Sequence, residues 1–474
     1  MDLSLFGHLE SLVILLMAGY FCVLVWIASR ADSGKNYDDY ILASRSVGHI
    51  ATIGSLASGF RDGMGLVLWI GMAFTIGYGG LWLIFGIIFS LVVVALLGPR
   101  VRRESKANGY VTIGDLLSHE LGAKTEVVLS LIIVAFSALY VAIQIYVISN
   151  LFEGLFSLNP EISALLTVLV VGLYLYQGGY GAVVRTDVLQ FFLIISLVFF
   201  PLLLRPSLDD VFRFKSLFSL DVVDQVALFL IGSLYILSGA EVWQRVFSAK
   251  NDHVVTYSFP IAGVFLLVMT LVLIFIGYGV KNLIGAGIAA DDVLFKVFEV
   301  SDLSPWLLAY LAVIVVAVSM STLDTFAYVF SSTVIENVLP KKIVTSKMEY
   351  VRLSRFIVTF LLIVMALLSL SITDVIKFLF DSASLLFVMA PVFLGVVTGI
   401  IEKSKCLDRS IAISVSCGAT VYIIMFVNGA FESLIMNIVP VFVSTVLCAV
   451  SVVYCKVLER RYAGQSCRIK ISEQ

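Results

Sequence analysis

The chain is a succession of long apolar runs broken by short polar interruptions. A run of about 20 apolar residues crosses a hydrocarbon core of roughly 30 Å as a helix. The pattern predicts thirteen such spans, at 11–29, 50–77, 78–98, 126–149, 162–177, 187–204, 225–243, 257–279, 306–335, 355–371, 375–400, 410–428 and 435–455. In lipid each backbone amide and carbonyl needs a partner inside the protein, so such spans are helices. The expected fold class is all-α, a polytopic membrane protein. No long polar stretch divides the runs, so residues 1–474 are read as one transmembrane domain.

Two spans depart from the common pattern. Span two holds SGFRDGMG at its middle, with Arg61 and Asp62 among Gly59, Gly63 and Gly65. Span seven holds GSLYILSGAEVWQR, with Gly232, Gly239 and the carboxylate of Glu241. With span 11–29 set aside as peripheral, these two open successive five-helix halves, 50–204 and 225–400. Five is odd, so the second half enters the membrane inverted. Paired glycine-interrupted spans at matching places in two halves point to a binding site at the bilayer midplane. The last two spans, 410–455, are nearly all apolar and belong to the lipid-facing periphery, followed by a tail at 456–474.

A glycine costs a helix about 1 kcal/mol relative to alanine, and a break frees backbone groups that lipid cannot satisfy. Freed carbonyls suit a small hard cation, and the amide end of a half-helix suits an anion. The plainer alternative is that the glycines only let helices pack closely. Two charges in the same stretch argue against it, since each costs roughly 2.5–3.5 kcal/mol at a helix centre. Adjacent residues on an intact helix point about 100° apart, so a broken segment is what lets both turn to one cavity. Asp62 is then a candidate for a cation or a substrate amine and Arg61 for a substrate carboxylate, unless the two form an ion pair that only tightens the bundle.

In span nine, Val318, Ser321, Thr322 and Thr325 share one helix face, with Asp324 near it. Hydroxyls and a carbonyl are ligands for a hard cation, although small hydroxylated residues also serve helix packing. Asp187 stands either at a site or as a helix amino-terminal charge at the interface. Glu241 is either a gate carboxylate or an interface residue. Tyr140, Gln144, Ser238 and Trp243 are candidate cavity residues. Lys377 and Asp381, four apart, are expected to pair.

Composition fits this picture. The chain is 60% hydrophobic and 14% charged, against about a quarter charged in soluble domains, and its mean hydropathy is +1.05. With the amino terminus outside, most of the 31 Lys and Arg fall on inner loops and the carboxyl tail. The positive-inside rule therefore places the amino terminus outside and the carboxyl terminus in the cytoplasm, in a plasma or inner membrane. The net charge of −2 gives no reason to expect nucleic acid. The first residues, MDLSLFGHLE, lack the basic start of a cleaved signal. The six cysteines lie in spans or on the inner side, so no structural disulfide is expected. The four His are too scattered for a metal site, and no cofactor is called for. No HExxH, GxSxG or Cys-His cluster points to an enzyme.

Four segments resemble the solute:sodium symporter family, in order and over nearly the whole length. ILASRSVG (41–48) resembles the loop before its first core helix, and GYGAVVRTDVLQ (179–190) its entry to core helix five. EVWQRVFSAKND (241–252) resembles its exit from core helix six, and VSMSTLDTFAYVFSSTVIENV (318–338) its core helix eight. The resemblance implies a LeuT-like 5+5 inverted repeat with one helix before and two after, and sodium-driven uptake of a small organic solute. It implies a sodium site of Phe60, Gly63 and Val318 carbonyls with Ser321 and Thr322 side chains. A second site would take Asp187, Ser321, Asp324 and Thr325. Asp324 stands where a serine is expected, and Arg61 where a small or polar residue is.

Arg61, Asp62 and Asp324 together carry a formal charge of −1, which one sodium neutralises. A zwitterion then enters without an unbalanced buried charge. This favours an amino acid or small carboxylate over a neutral sugar. A membrane sensor of the same fold that binds solute without steady transport is the alternative. A channel is disfavoured, because no repeated filter motif is present.

Overall fold

The computed structural model describes residues 3–30, 41–175, 180–285, 287–340, 343, 346–401 and 405–472. Their regular structure is helical, apart from one isolated bridge between Val47 and Ala249. The chain runs through α1 (Leu3–Arg30), α2 (His49–Phe60), α3 (Gly63–Ile76), α4 (Leu81–Asn108), α5 (Ile113–Glu120), α6 (Ala123–Phe156), α7 (Pro160–Leu175) and α8 (Tyr180–Ser196). It continues through α9 (Val222–Ser238), α10 (Ala240–Ser248), α11 (Asp252–Ile284), α12 (Val293–Val300) and α13 (Pro305–Thr333). The last helices are α14 (Lys347–Ser369), α15 (Val375–Phe387), α16 (Ala390–Val397), α17 (Lys405–Val427) and α18 (Val439–Ser472).

Nine described helices are long and apolar enough to cross a bilayer, or up to eleven if each of two bent pairs counts as one. The expected count is thirteen. By length alone, Gly63–Asn108 runs together as 46 residues and Pro160–Gly172 falls short. Within the former, a 3-10 turn at Gly77–Gly80 separates α3 from α4, and Gly77 takes a φ of 60° that a side chain resists.

Burial separates core from rim. In the apolar window of α13, 83% of residues are buried inside the protein, against 17% in α14. Helices α1, α17 and α18 turn large apolar side chains such as Leu15, Trp26, Ile423 and Val453 outward, as a lipid-facing rim requires.

Two features differ from expectation. Span 375–400 bends by 46° between α15 and α16. The cause is readable: Pro391 sits in the first turn of α16, where a missing amide does no harm. Cys406 and Cys455 are joined, with Cα atoms 5.8 Å apart. They lie 49 residues apart, and only the packing of α17 against α18 makes them neighbours.

The Arg/Lys-rich face is tightly closed. Arg45 donates to the Ser105 hydroxyl and the Tyr110 carbonyl, each at 2.7 Å. Val47 is bonded to the segment at the end of α10, its N–H donating to Ser248 O at 3.1 Å and its carbonyl accepting from the Lys250 N–H at 2.9 Å. Arg102 and Arg103 hold Asp252 at 2.7 and 2.6 Å. The opposite face is open. A vestibule there is lined by Asp224, Asp291, Asp374 and Asp381 and by the Lys377–Asp381 pair, which forms as expected at 2.8 Å.

Candidate functional site

The second span is broken where the glycines and charges predict. Helix α2 ends at Phe60, and α3 begins at Gly63. Asp62 is the amino-terminal cap of α3, accepting the Gly65 amide at 2.5 Å. Its other oxygen accepts the Tyr140 hydroxyl at 2.9 Å and the Gln144 amide at 2.7 Å. Tyr140 and Gln144 are four apart on α6, so one helix face supplies both donors. Glycine is required at 63, because a Cβ there would collide with the Ser319 hydroxyl of α13. The break is thereby seated against α13.

Arg61 turns the other way. It donates to the Phe60 carbonyl at 2.9 Å, to the Leu266 carbonyl at 2.6 Å and to the Thr270 hydroxyl, the latter two on α11. Its guanidinium lies 5.3 Å from the Trp69 ring centroid, a cation–π distance. Arg61 and Asp62 thus serve different walls, and the ion pair considered as an alternative does not form. Only the buried Nε of Arg61 lacks a protein partner.

The seventh span breaks at Gly239, where α9 and α10 meet at 46°. Between the two broken spans lies a small cavity of about 70 Å³, below the usual range for a small-molecule site. Arg61, Asp62, Trp69, Tyr140 and Tyr235 line it, together with Phe380, which also lines the open vestibule. Of the expected substrate residues, Arg61, Asp62 and Tyr140 reach the cavity. Gln144 stands behind Asp62. Ser238, Glu241 and Trp243 are not in the cavity wall. Trp243 bonds the Leu237 carbonyl at 3.0 Å and packs its ring 4.5 Å from Phe393 of α16. Glu241 is only 4% exposed and follows the break, so the interface reading fails for it.

The hydroxyl face of α13 reaches the other side of the break. The Thr322 hydroxyl lies 3.4 Å from the Gly59 carbonyl, one of the helix-end carbonyls left without an amide partner. Val318 is one turn earlier and fully buried. Ser321 donates to Asp187 at 2.6 Å, and Thr325 to the Ser321 carbonyl at 3.0 Å. Asp324 is fully buried on the same helix. Asp187 is also fully buried, two turns inside α8, which rules out its reading as an interfacial helix charge.

Ser55 and Arg245 were not singled out from the sequence, yet they complete this network. Ser55 donates to the second Asp187 oxygen at 2.5 Å and accepts from Arg245 Nε at 2.9 Å. Arg245 also donates to the Ser55 carbonyl at 3.0 Å and the Glu241 carbonyl at 2.9 Å. One chain of bonds therefore ties α2, α8, α10 and α13. Asp187, Arg245 and Ser321 occur inside quoted segments and Ser55 lies in span two, but only the fold brings them together. Asp62, Asp187, Glu241, Asp324, Arg61 and Arg245 are all buried, and their formal sum is −2.

These elements define a multi-pass membrane bundle of LeuT-like fold, with two interrupted helices enclosing a buried cavity. Residues 40–204 match the family model for the sodium:solute symporter family, so the resemblance seen in the motifs stands. Over 202 residues, 41% of this chain and 40% of the relative, the chain is 27% identical to a sodium/proline symporter of Staphylococcus aureus. The same protein from strain Newman matches at 27% over 203 residues. The chain's match spans less than half the length of these curated relatives. Among solved structures, a Na+-coupled sialic acid symporter in a substrate-bound outward-open state superposes with a TM-score of 0.74. That likeness covers 94% of this chain and 96% of the other at 15% identity. A nucleobase-cation-symport-1 family transporter in a closed conformation gives 0.60 over 89% and 95% at 12% identity. These similarities show the fold, and the proteins similar to this chain are symporters, not enzymes.

Proposed function

We propose that the protein is a sodium-coupled secondary symporter that imports a small organic solute, an amino acid or small carboxylate, by alternating access. The observation that carries this reading is the pair of broken helices around one cavity, with the α13 hydroxyls reaching the first break. In this account the halves 50–204 and 225–400 rock against each other. The closed Arg/Lys-rich face is cytoplasmic and the open vestibule external, which leaves the amino terminus outside and the carboxyl terminus inside a plasma or inner membrane.

Sodium is held by carbonyls of Gly63 and Val318 with Ser321 and Thr322, while the Phe60 carbonyl, expected in the same site, accepts from Arg61. Asp187, Asp324 and Thr325 belong to a second cation position. The solute occupies the largely apolar cavity beside Asp62 and Tyr140, its amine toward the carboxylate and an apolar part among Trp69, Tyr235 and Phe380. A carboxylate on the solute faces Arg61, whose Nε has no protein partner. The core's formal charge of −2 leaves room for coupling cations as well as a zwitterion. Binding of ion and solute to one conformation makes each raise the other's affinity.

Reconstituted protein is expected to accumulate an amino acid or small carboxylate only under an inward sodium gradient, in a panel of amino acids, carboxylates and sugars. Uptake that follows a sugar, or that ignores the gradient, contradicts the reading.

A further inference from the structure

Arg61 is held as a metal ion is held. Three oxygens converge on its guanidinium: the Phe60 carbonyl at the helix break, and the Leu266 carbonyl and Thr270 hydroxyl one turn apart on α11. Such an all-oxygen set suits a hard monovalent or divalent cation. The side chain is 1% exposed, and the Trp69 ring closes the set at 5.3 Å. No carboxylate takes part, since Asp62 directs its oxygens to Gly65, Tyr140 and Gln144. The positive charge is therefore bound by neutral oxygens and balances Asp62 across the cavity rather than by contact.

We propose that Arg61 is a built-in cation, filling at the first helix break an oxygen site that takes a mobile alkali ion when the side chain is removed. A tethered charge loses no translational freedom on binding and is present at every step of the cycle, so it does not travel with the solute. The consequence is a coupling stoichiometry lower by one ion than the same fold would have with a small residue at 61. This rests on the symporter reading above.

The test uses purified full-length protein in detergent, with melting temperature as the readout, so it does not depend on transport. Arg61→Ala is expected to be stabilised by millimolar guanidinium, by several degrees, while the unaltered protein is not. Sodium should stabilise Arg61→Ala with a steeper concentration dependence than the unaltered protein. Adding Thr270→Val should abolish the guanidinium response and return the sodium dependence to that of the unaltered protein. If Arg61→Ala cannot be purified, Arg61→Lys is read instead. It keeps a charge among the same oxygens and should retain the original sodium dependence. A guanidinium-insensitive Arg61→Ala, or an Arg61→Lys with a steeper sodium dependence, overturns the proposal. Should the unaltered protein ignore sodium while Arg61→Ala still responds to guanidinium, the built-in cation stands and the sodium-symport reading falls.

Discussion

Asp62→Ala is expected to abolish solute uptake and to weaken the fold. The carboxylate caps α3 and accepts three hydrogen bonds, from the Gly65 amide, the Tyr140 hydroxyl and the Gln144 amide. Alanine leaves all three donors buried, and each unsatisfied donor costs about 1–3 kcal/mol. It also leaves Arg61 as an uncompensated charge on the cavity wall. Asp62→Asn separates the two effects. It keeps an acceptor for the cap, and the Gln144 amide can turn its unpartnered oxygen to the new NH2 group, so more stability is kept than in Asp62→Ala, yet the cavity's negative charge is gone. Uptake by Asp62→Asn should fall by at least about tenfold, a loss of roughly 1.4 kcal/mol in transition-state stabilisation, with a melting temperature above that of Asp62→Ala. Flux and thermal unfolding measured on one preparation check both parts. Full uptake by Asp62→Asn would show that the carboxylate serves only as a helix cap.

Arg245→Ala should be comparably severe for a different reason. Arg245 joins the Asp187 network through Ser55, as the only cation bonded into it among the described contacts. Its loss removes the nearest bonded positive charge from the buried Asp187 carboxylate and a donor each from the Ser55 and Glu241 carbonyls, at a cost of about 1–3 kcal/mol. Asp187→Asn in the same background should restore part of the stability, because it removes the charge that Arg245 balances. A double-mutant cycle reads this directly as a coupling energy. Additive losses would mean that Ser55 does not transmit the interaction. The network ties α10 to α2, α8 and α13.

Much of this arrangement is legible from residue types alone. The break at Arg61–Asp62 follows from charges and glycines that lipid would not tolerate in an intact helix. The break at Gly239 follows from its place in a span with Glu241. The hydroxyl face of α13 follows from i, i+3, i+4 spacing. What escaped depends on contacts between distant segments. Whether Arg61 meets a solute or the α11 carbonyls is decided by Thr270, more than two hundred residues away. Ser55 looks like any small residue in a packed helix until Arg245 and Asp187 are placed on either side of it. Trp243 could line a cavity, although aromatics in spans are more often packing, and its ring packs against Phe393. The Cys406–Cys455 bond is hidden for the same reason, while the kink at Pro391 could have been seen.

The most direct test of the central claim, that the first helix break and α13 hold a sodium ion whose binding drives uptake, is the sodium dependence of uptake in Thr322→Ala. Thr322 is fully buried and places its hydroxyl 3.4 Å from the Gly59 carbonyl. In proteoliposomes the sodium concentration for half-maximal uptake should rise about tenfold or more, the equivalent of roughly 1.4 kcal/mol, while the maximal rate at saturating sodium is largely kept. A Thr322→Ala protein with unchanged sodium dependence would contradict the account.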